Sequence, residues 1–233
     1  MPRRVANKAA KPLFHKLVKL PKTIFIVGSG PNGQEPYYDL VRNIEIPRIG
    51  INGTIMYPGM DYVFFSCPTI QSLPWWKEKR DIVPAEERGV KVFTKQFASS
   101  AKRKRAGKPG ATCKYYWDKT MSKFGKTTSL GNMTQYLLQR YKNITEVIFC
   151  GVDMFGINNF YGKTRRKLNH LGQPTGGFTD RVRNIGKLMK FYSSRCDFKS
   201  ISETKLEVEL VDEEYLRSRA SEIKQSETPA EDD

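Results

Sequence analysis

The sequence predicts an α/β protein with a mostly parallel, Rossmann-like sheet, helices on both faces and a small lid. Short apolar runs rich in β-branched residues recur along the chain, beginning with Thr23–Val27, and such runs are typical of strands buried on both faces. Amphipathic helical patterns lie between the later runs, and strands that alternate with helices favour a parallel sheet. A chain of 233 residues is also long enough to bury the core of one large domain.

Each element is predicted from its own pattern. A helix is predicted over Ser129–Tyr141 because apolar residues recur there at three- and four-residue steps, and Thr128 or Ser129 is a natural N-cap. A second helix carries its apolar face from Phe178 to Tyr192. After Thr23–Val27, the strand candidates are apolar runs bounded by polar or turn-forming residues: Ile46–Ile51, Tyr62–Ser66, Val90–Phe93, Val147–Cys150, Phe198–Ile201 and Leu206–Leu210.

The charge is basic and unevenly distributed. The net charge is +16, yet eleven acidic and only four basic residues occur from Glu203 onward, which leaves 36 basic against 13 acidic residues in the rest. We therefore divide the chain into a basic N-terminal arm (1–22), a nucleotide-binding domain (23–210) with a basic excursion (99–126), and an acidic tail (211–233) that is expected to be disordered. A basic surface of this kind attracts polyanions, although it also suits a solvated protein in a crowded or particle-bound setting.

Cysteine usage and hydropathy indicate the compartment. The four cysteines form no CxxC pair, so we expect buried thiols rather than disulfides or a metal site. No apolar region of the length typical of a signal peptide follows the basic arm, and no apolar run is long enough to span a bilayer. We therefore expect a cytoplasmic, intracellular protein without a transmembrane segment, with association to a membrane surface or a particle as an alternative that remains open.

A glycine-rich loop follows the first strand. Residues Gly28, Ser29, Gly30, Asn32 and Gly33 belong to a G-x-G-x-x-G pattern, whose glycines let backbone N–H groups approach a phosphate. A dinucleotide site would need a helix that opens within the motif and an acid at the end of the second strand. The prolines at 31 and 36 fit an open helix start poorly, and the second strand ends in Asn52. A nucleotide site, a dinucleotide site and a plain tight turn remain open.

Several short motifs together resemble bacterial surface-glycan sialyltransferases and related glycosyltransferase-like proteins. In that family an apolar strand leads into Gly-Asn-Gly-Pro-Ser, which Gly28–Asn32 resembles, and a second strand ends in an asparagine that contacts the cytidine nucleotide, as Asn52 would. A Thr-Ser pair at a helix start then precedes a strand that ends in Cys-Gly-Ile-Asp, and here Ser129 precedes Gly151 and Asp153 in the same arrangement. The resemblance runs from about Thr23 to Leu210.

The resemblance implies a nucleotide-binding α/β domain that transfers a sugar from a cytidine-activated donor to a glycan acceptor, without a metal or other cofactor. It also implies that Tyr161 steadies the leaving phosphate. The sequence departs from the family where Ser29 and Cys67 replace asparagines and Phe155 replaces a second tyrosine. No histidine stands just before Thr179-Asp180, where the family has its catalytic base, so His170 is the candidate nearest to that position.

Each candidate site residue also has a structural alternative. Ser129 at a helix N-terminus could help to hold an anion, and it could equally be a helix cap. Asp153 could bind a ribose or base hydroxyl or act as a catalytic base, and it could equally be a turn residue after a strand. Tyr161 could donate to phosphate or pack in the lid. The basic run that follows it, from Lys163 to Lys167, could neutralise a diphosphate or form a solvated face.

A second class of function is nucleic-acid or particle binding. Lys102, Arg103, Lys104 and Arg105 form a basic run that is followed by the aromatic cluster Tyr115–Trp117, and cations near aromatic rings suit phosphate contacts and base stacking. In this interpretation the fold is a catalytically inactive scaffold. A third possibility is a structural or assembly protein that joins partners through its basic arm and acidic tail.

Overall fold

The computed structural model describes residues 14–65, 89–95, 115–117, 124–125, 128–154 and 178–227. These residues contain eight strands that pair in one sheet with only parallel neighbours. The strands are β1 (Thr23–Val27), β2 (Arg48–Ile51), β3 (Tyr62–Phe65), β4 (Lys91–Lys95), β5 (Tyr115–Trp117), β6 (Glu146–Cys150), β7 (Asp197–Ser200) and β8 (Glu209–Leu210). The predicted α/β fold with a parallel sheet is confirmed.

The strand order is β5-β4-β3-β2-β1-β6-β7-β8. From β1 the chain adds strands on one side as far as β5 and then crosses back to place β6 on the other side of β1. Strands β1 and β6 pair along their full length, from Thr23 opposite Glu146 to Val27 opposite Cys150. The order therefore reverses between β1 and β6, and ligands of open parallel sheets bind beyond the carboxyl ends of strands at such a reversal.

Helices cover both faces of the sheet. The structure has α1 (Phe14–Leu17), α2 (Gln34–Asn43), α3 (Ser129–Arg140), α4 (Phe178–Tyr192) and α5 (Glu213–Glu227), together with 3-10 turns at Pro31–Gly33 and Asn52–Met56. Side chains of α3 and α4, such as Leu137 and Leu188, pack on one face of β1 and β6. Side chains of α2 and α5, such as Leu40 and Leu216, pack on the other face.

Helix α2 was not predicted from the sequence. Pro31 lies in the 3-10 turn that follows the glycine loop, and Pro36 lies in the first turn of α2. Proline is tolerated at these positions because N–H groups in a first helical turn have no intrahelical acceptor. The argument that these prolines disfavour a helix start was therefore wrong, and a helix does open directly after the glycine loop.

The expected disorder of residues 211–233 is wrong for the described part of that segment. Helix α5 docks on the sheet through Leu216, which is fully buried, and Ala220. It is also tied to the start of β6, because Tyr215 donates a hydrogen bond to the buried carboxylate of Glu146 and Arg219 forms an ion pair with the same carboxylate. The disorder was predicted from the acidic composition of the segment as a whole. One narrow apolar stripe within it is enough to anchor an amphipathic helix.

The described part of the basic N-terminal arm packs against α3 and the residues after it. Val18 and Leu20 are buried, and their carbonyl groups accept hydrogen bonds from Tyr141 Oη (2.9 Å) and Asn143 Nδ2 (2.6 Å). His15 Nδ1 lies 3.0 Å from the hydroxyl of Tyr136. Residues 14–22 are therefore part of the packed domain. Within the described ranges, no helix is both long enough and apolar enough to cross a membrane.

Candidate functional site

The loops that follow β1 and β6 lie side by side at the reversal of strand order. The N–H of Gly28 donates to the carbonyl of Cys150 (2.7 Å), and the N–H of Gly30 donates to the carbonyl of Gly151 (2.8 Å). The parallel pairing of β1 with β6 thus continues past the strand ends into the loops. The glycine loop and the Gly151–Asp153 segment, which the sequence analysis assigned separately to a nucleotide site, form one unit.

Close packing between the loops explains part of the glycine pattern. A Cβ atom on Gly33 would overlap the backbone of Gly151, and a Cβ atom on Gly28 would overlap the Gly151 carbonyl. Gly151 itself has φ +65°, a left-handed conformation that side chains other than hydrogen rarely adopt. These three glycines are therefore required for the loops to meet, whether or not a ligand is bound.

The carboxylate of Asp153 lies inside the glycine loop. Its Oδ2 atom accepts a hydrogen bond from the backbone N–H of Asn32 (3.0 Å). An ideal Cβ atom on Gly30 would lie no more than 2.6 Å from each atom of this carboxyl group, so only glycine fits there. Asp153 is 5% exposed, and its Oδ1 atom is buried without a hydrogen-bond partner among the described residues.

The electrostatics of this site favour a ligand that donates hydrogen bonds. Burial raises the pKa of the Asp153 carboxyl above its usual value, and the nearby Glu203 acts in the same direction while the Asn32 N–H opposes it. The negative charge of this carboxylate would repel a ligand phosphate placed in the same glycine loop. A hydroxyl or amine of a ligand would instead supply the partner that Oδ1 lacks.

Sequence reasoning missed the segment after β7 that supports Asp153. The Oγ atom of Ser202 accepts a hydrogen bond from the N–H of Gly151 (2.8 Å), and Thr204 Oγ1 donates to the carbonyl of Val152 (2.6 Å). The N–H of Lys205 donates to the carbonyl of Asp153 (3.0 Å), and the side-chain amide of Asn32 approaches Glu203 Oε2 (3.5 Å). The hydroxyl residues after Ser200 were the available signal, but their role depends on β7 lying beside β6.

Ser129 and Asn52 belong to elements that reach the same edge of the sheet. Ser129 is the first residue of α3, and the side chain of Thr128 caps the helix by accepting from the N–H of Gly131 (3.2 Å). A helix that leads into a parallel strand starts at the carboxyl edge of the sheet, so the N-terminus of α3 lies on the side of the glycine loop. Asn52 begins the 3-10 turn directly after β2, and Ser29 is half-buried in the loop.

The remaining candidates lie outside the described residues. They comprise the small lid and the following side chains: Lys102, Arg103, Lys104, Arg105, Tyr161 and His170. The structure therefore brings together Gly28, Gly30, Asn32, Gly151 and Asp153. In the part of the chain that the structure describes, no three His, Cys, Asp or Glu side chains are grouped so that they could hold a metal ion.

Comparisons with known proteins support the fold at a coarse level. No protein-family model matches the chain, and no curated protein matches it significantly. Among solved structures, the chain is similar to the MAf glycosyltransferase from Magnetospirillum magneticum AMB-1, with a TM-score of 0.51 and 14% sequence identity. The match covers 93% of this chain and 39% of that one, so this chain spans about two fifths of the length of that glycosyltransferase. The likeness shows a glycosyltransferase-like fold.

Proposed function

We propose that this protein binds a cytidine nucleotide or nucleotide-sugar at the reversal of strand order and transfers the sugar to a glycan acceptor in the cytoplasm. The observation that carries the proposal is the buried Asp153 carboxylate within the glycine loop, with one oxygen that lacks a partner among the described residues. The glycosyltransferase-like fold supports the same reading.

Asp153 receives the nucleoside part of the ligand in this proposal. The ribose hydroxyls and the amino group of cytosine are hydrogen-bond donors, and each can satisfy the buried Oδ1 atom. Because a phosphate beside Asp153 would be repelled, the phosphate points away from the carboxylate toward the N-terminus of α3. There the helix dipole and the first N–H groups favour an anion, as proposed for Ser129.

The hydrogen bonding of Asp153 favours a binding role over a catalytic one. The N–H of Asn32 fixes its Oδ2 atom inside the glycine loop, which suits a stationary hydrogen-bond acceptor for the ligand better than a base that exchanges a proton with an acceptor hydroxyl. His170 is then the candidate base for the acceptor hydroxyl, and Tyr161 is the candidate donor to the leaving phosphate. No cofactor takes part in this scheme, and the nucleotide-sugar is the substrate.

A thermal-shift panel tests the proposal. We would measure the full chain at moderate salt with CMP, CDP, UMP, UDP, NAD and ATP. A ligand present at one hundred times its dissociation constant adds about 2.7 kcal/mol to the free energy of unfolding. We expect a shift with CMP and CDP that exceeds the shift with the other nucleotides. Equal shifts for all six, or none, would contradict a cytidine site.

A second candidate is a polyanion-binding protein without catalysis. It is supported by the net charge of +16 and by helix α4, whose exposed surface carries Arg181, Arg183, Lys187 and Lys190 against the single acid Asp180. Binding of a short RNA whose affinity falls steeply with salt, without any nucleotide shift, would favour this candidate.

A further inference from the structure

A groove runs along α4, on the face of the sheet that α3 and α4 cover. It lies between this helix and the segment Lys205–Val208, and its volume is about 890 Å³. That volume falls in the range of sites for single small ligands, which is roughly 300–1,000 Å³. The groove is separate from the glycine loop, although Lys205 at its wall is hydrogen-bonded to the backbone of Asp153.

The groove has an apolar floor and a mainly cationic rim. Its floor is formed by Val182, Met189, Phe198, Leu206 and Val208. The basic residues of its lining are Arg183, Lys187, Lys190 and Lys205, and the acidic ones are Asp197 and Glu207. Arg183 pairs with Asp180 (2.7 Å), whereas Lys187 and Lys190 have no ion-pair partner among the described residues. An anionic group would therefore be attracted to the α4 side of the groove.

A glycine within α4, Gly186, lines the groove. An ideal Cβ atom on Gly186 would meet no other atom within 4 Å, so the position has room for a larger side chain. Glycine inside a helix costs about 0.5–1 kcal/mol relative to alanine. Neither backbone conformation nor close packing explains why glycine occurs here, and the space above it forms part of the groove.

The wall opposite α4 offers little to an extended peptide. The N–H groups of Lys205, Leu206 and Val208 already donate to the carbonyl of Asp153, the hydroxyl of Thr204 and the carbonyl of Leu206, respectively. A peptide strand laid in the groove would leave its own carbonyl groups without these donors. An apolar chain has no such requirement.

We propose that this groove binds a single-chain amphiphilic anion. The apolar chain lies over the floor beside Gly186, and a phosphate or carboxylate head lies between Lys187 and Lys190. The inference is independent of the proposed nucleotide site, since none of these side chains belongs to the glycine loop.

The test is isothermal titration calorimetry of the full chain with dodecyl phosphate, which is kept below its critical micelle concentration. We expect saturable one-to-one binding. Dodecyl maltoside, which has the same chain and a neutral head, should bind about fivefold more weakly, because an exposed ion pair contributes up to about 1 kcal/mol. Inorganic phosphate alone should show no saturable binding.

Matched variants locate the site. Gly186→Leu fills the groove and should weaken dodecyl phosphate binding at least about tenfold, since it removes the space for the chain. Gly186→Ala adds one methyl group, should raise Tm and should retain binding. The double variant Lys187→Gln/Lys190→Gln should bind dodecyl phosphate about fivefold more weakly, whereas Lys142→Gln, which changes an exposed lysine outside the groove, should bind it as wild type does.

Wild-type affinity in cooperatively folded Gly186→Leu would show that the amphiphile binds elsewhere on the basic surface, and it would overturn the proposal. Binding only above the critical micelle concentration would overturn it as well. Binding of an acidic amphipathic peptide without binding of dodecyl phosphate would assign the groove to a protein partner instead.

Discussion

The carboxylate of Asp153 lies where a side chain on residue 30 would have to be, so Gly30 and Asp153 are coupled across 123 positions of the chain. The distance from an ideal Gly30 Cβ to Asp153 Oδ1 would be 2.6 Å, far inside van der Waals contact. This relationship gives the glycine loop a purpose other than direct phosphate binding: it makes room for an acceptor group at the reversal of strand order.

Gly30→Ala should destabilise the fold by about 1–3 kcal/mol, because the new methyl group overlaps the Asp153 carboxylate. Denaturant unfolding of Gly30→Ala, Asp153→Ala and the double variant forms a thermodynamic cycle. The alanine at 30 should cost at least about 1 kcal/mol less when Asp153 is also alanine. Additive effects of the two substitutions would contradict the contact.

Asp153→Asn should stabilise the protein at neutral pH while it weakens nucleotide binding. Burial raises the pKa of Asp153, with Glu203 acting in the same direction and the Asn32 N–H opposing. The folded state therefore keeps this proton to higher pH than the unfolded chain, and the associated stability is present below the ordinary aspartate pKa and lost as pH rises through the raised value.

We expect Asp153→Asn to exceed wild type by about 1 kcal/mol in unfolding free energy at pH 7. The advantage should shrink as pH falls toward about 4, where the carboxyl gains its proton in both states. Urea unfolding at several pH values measures this difference in unfolding free energy, with Asp180→Asn as a control at an exposed carboxylate. A less stable Asp153→Asn at pH 7 would show that the carboxylate is well satisfied in the folded protein.

Ser202→Ala should weaken both the fold and the nucleotide site. It removes the acceptor of the Gly151 N–H, and a buried N–H left without a partner costs about 1–3 kcal/mol. Because Ser202 acts through Gly151, nucleotide affinity should fall even at temperatures where the variant is fully folded. Ser193→Ala, which alters an exposed hydroxyl, is the control. Unchanged affinity would limit Ser202 to a stabilising role.

Leu216→Ala should destabilise the domain by about 2–4 kcal/mol, since it removes a fully buried side chain from the interface between α5 and the sheet. Ser218→Ala, on the exposed side of the same helix, should change stability by less than about 0.5 kcal/mol. Equal, small effects in thermal unfolding would mean that α5 does not dock in solution.

Strong local patterns allowed much of the sheet and two helices to be predicted. Strand β1 was predicted with both of its observed ends, Thr23 and Val27, and helix α3 was predicted with its observed first residue, Ser129. An uninterrupted apolar run and a sustained helical period each permit few alternatives. Two helices with weaker local patterns were not predicted. Pro36 in the first turn of α2 argued against a helix there, and the acidic composition of α5 argued for disorder.

The contents of the site were predictable only in part. Gly30 and Asp153 were both chosen as site residues, but no local pattern shows that the carboxylate fills the loop. That contact depends on β1 pairing with β6, a connection between distant parts of the chain. Ser202 and Glu203 were missed for the same reason, because their position follows from β7 lying beside β6.

The central claim is that Asp153 binds the nucleoside part of a cytidine ligand. Isothermal titration of CMP and 2′,3′-dideoxy-CMP into wild type and Asp153→Asn tests it most directly. We predict that loss of the ribose hydroxyls weakens wild-type binding at least about tenfold, since a hydrogen bond to a charged group contributes about 1.5–3 kcal/mol. The two ligands should differ little in Asp153→Asn. Equal affinity of both ligands for wild type would contradict a contact between Asp153 and the ribose hydroxyls, and tight CMP binding that survives Asp153→Asn would contradict the account as a whole.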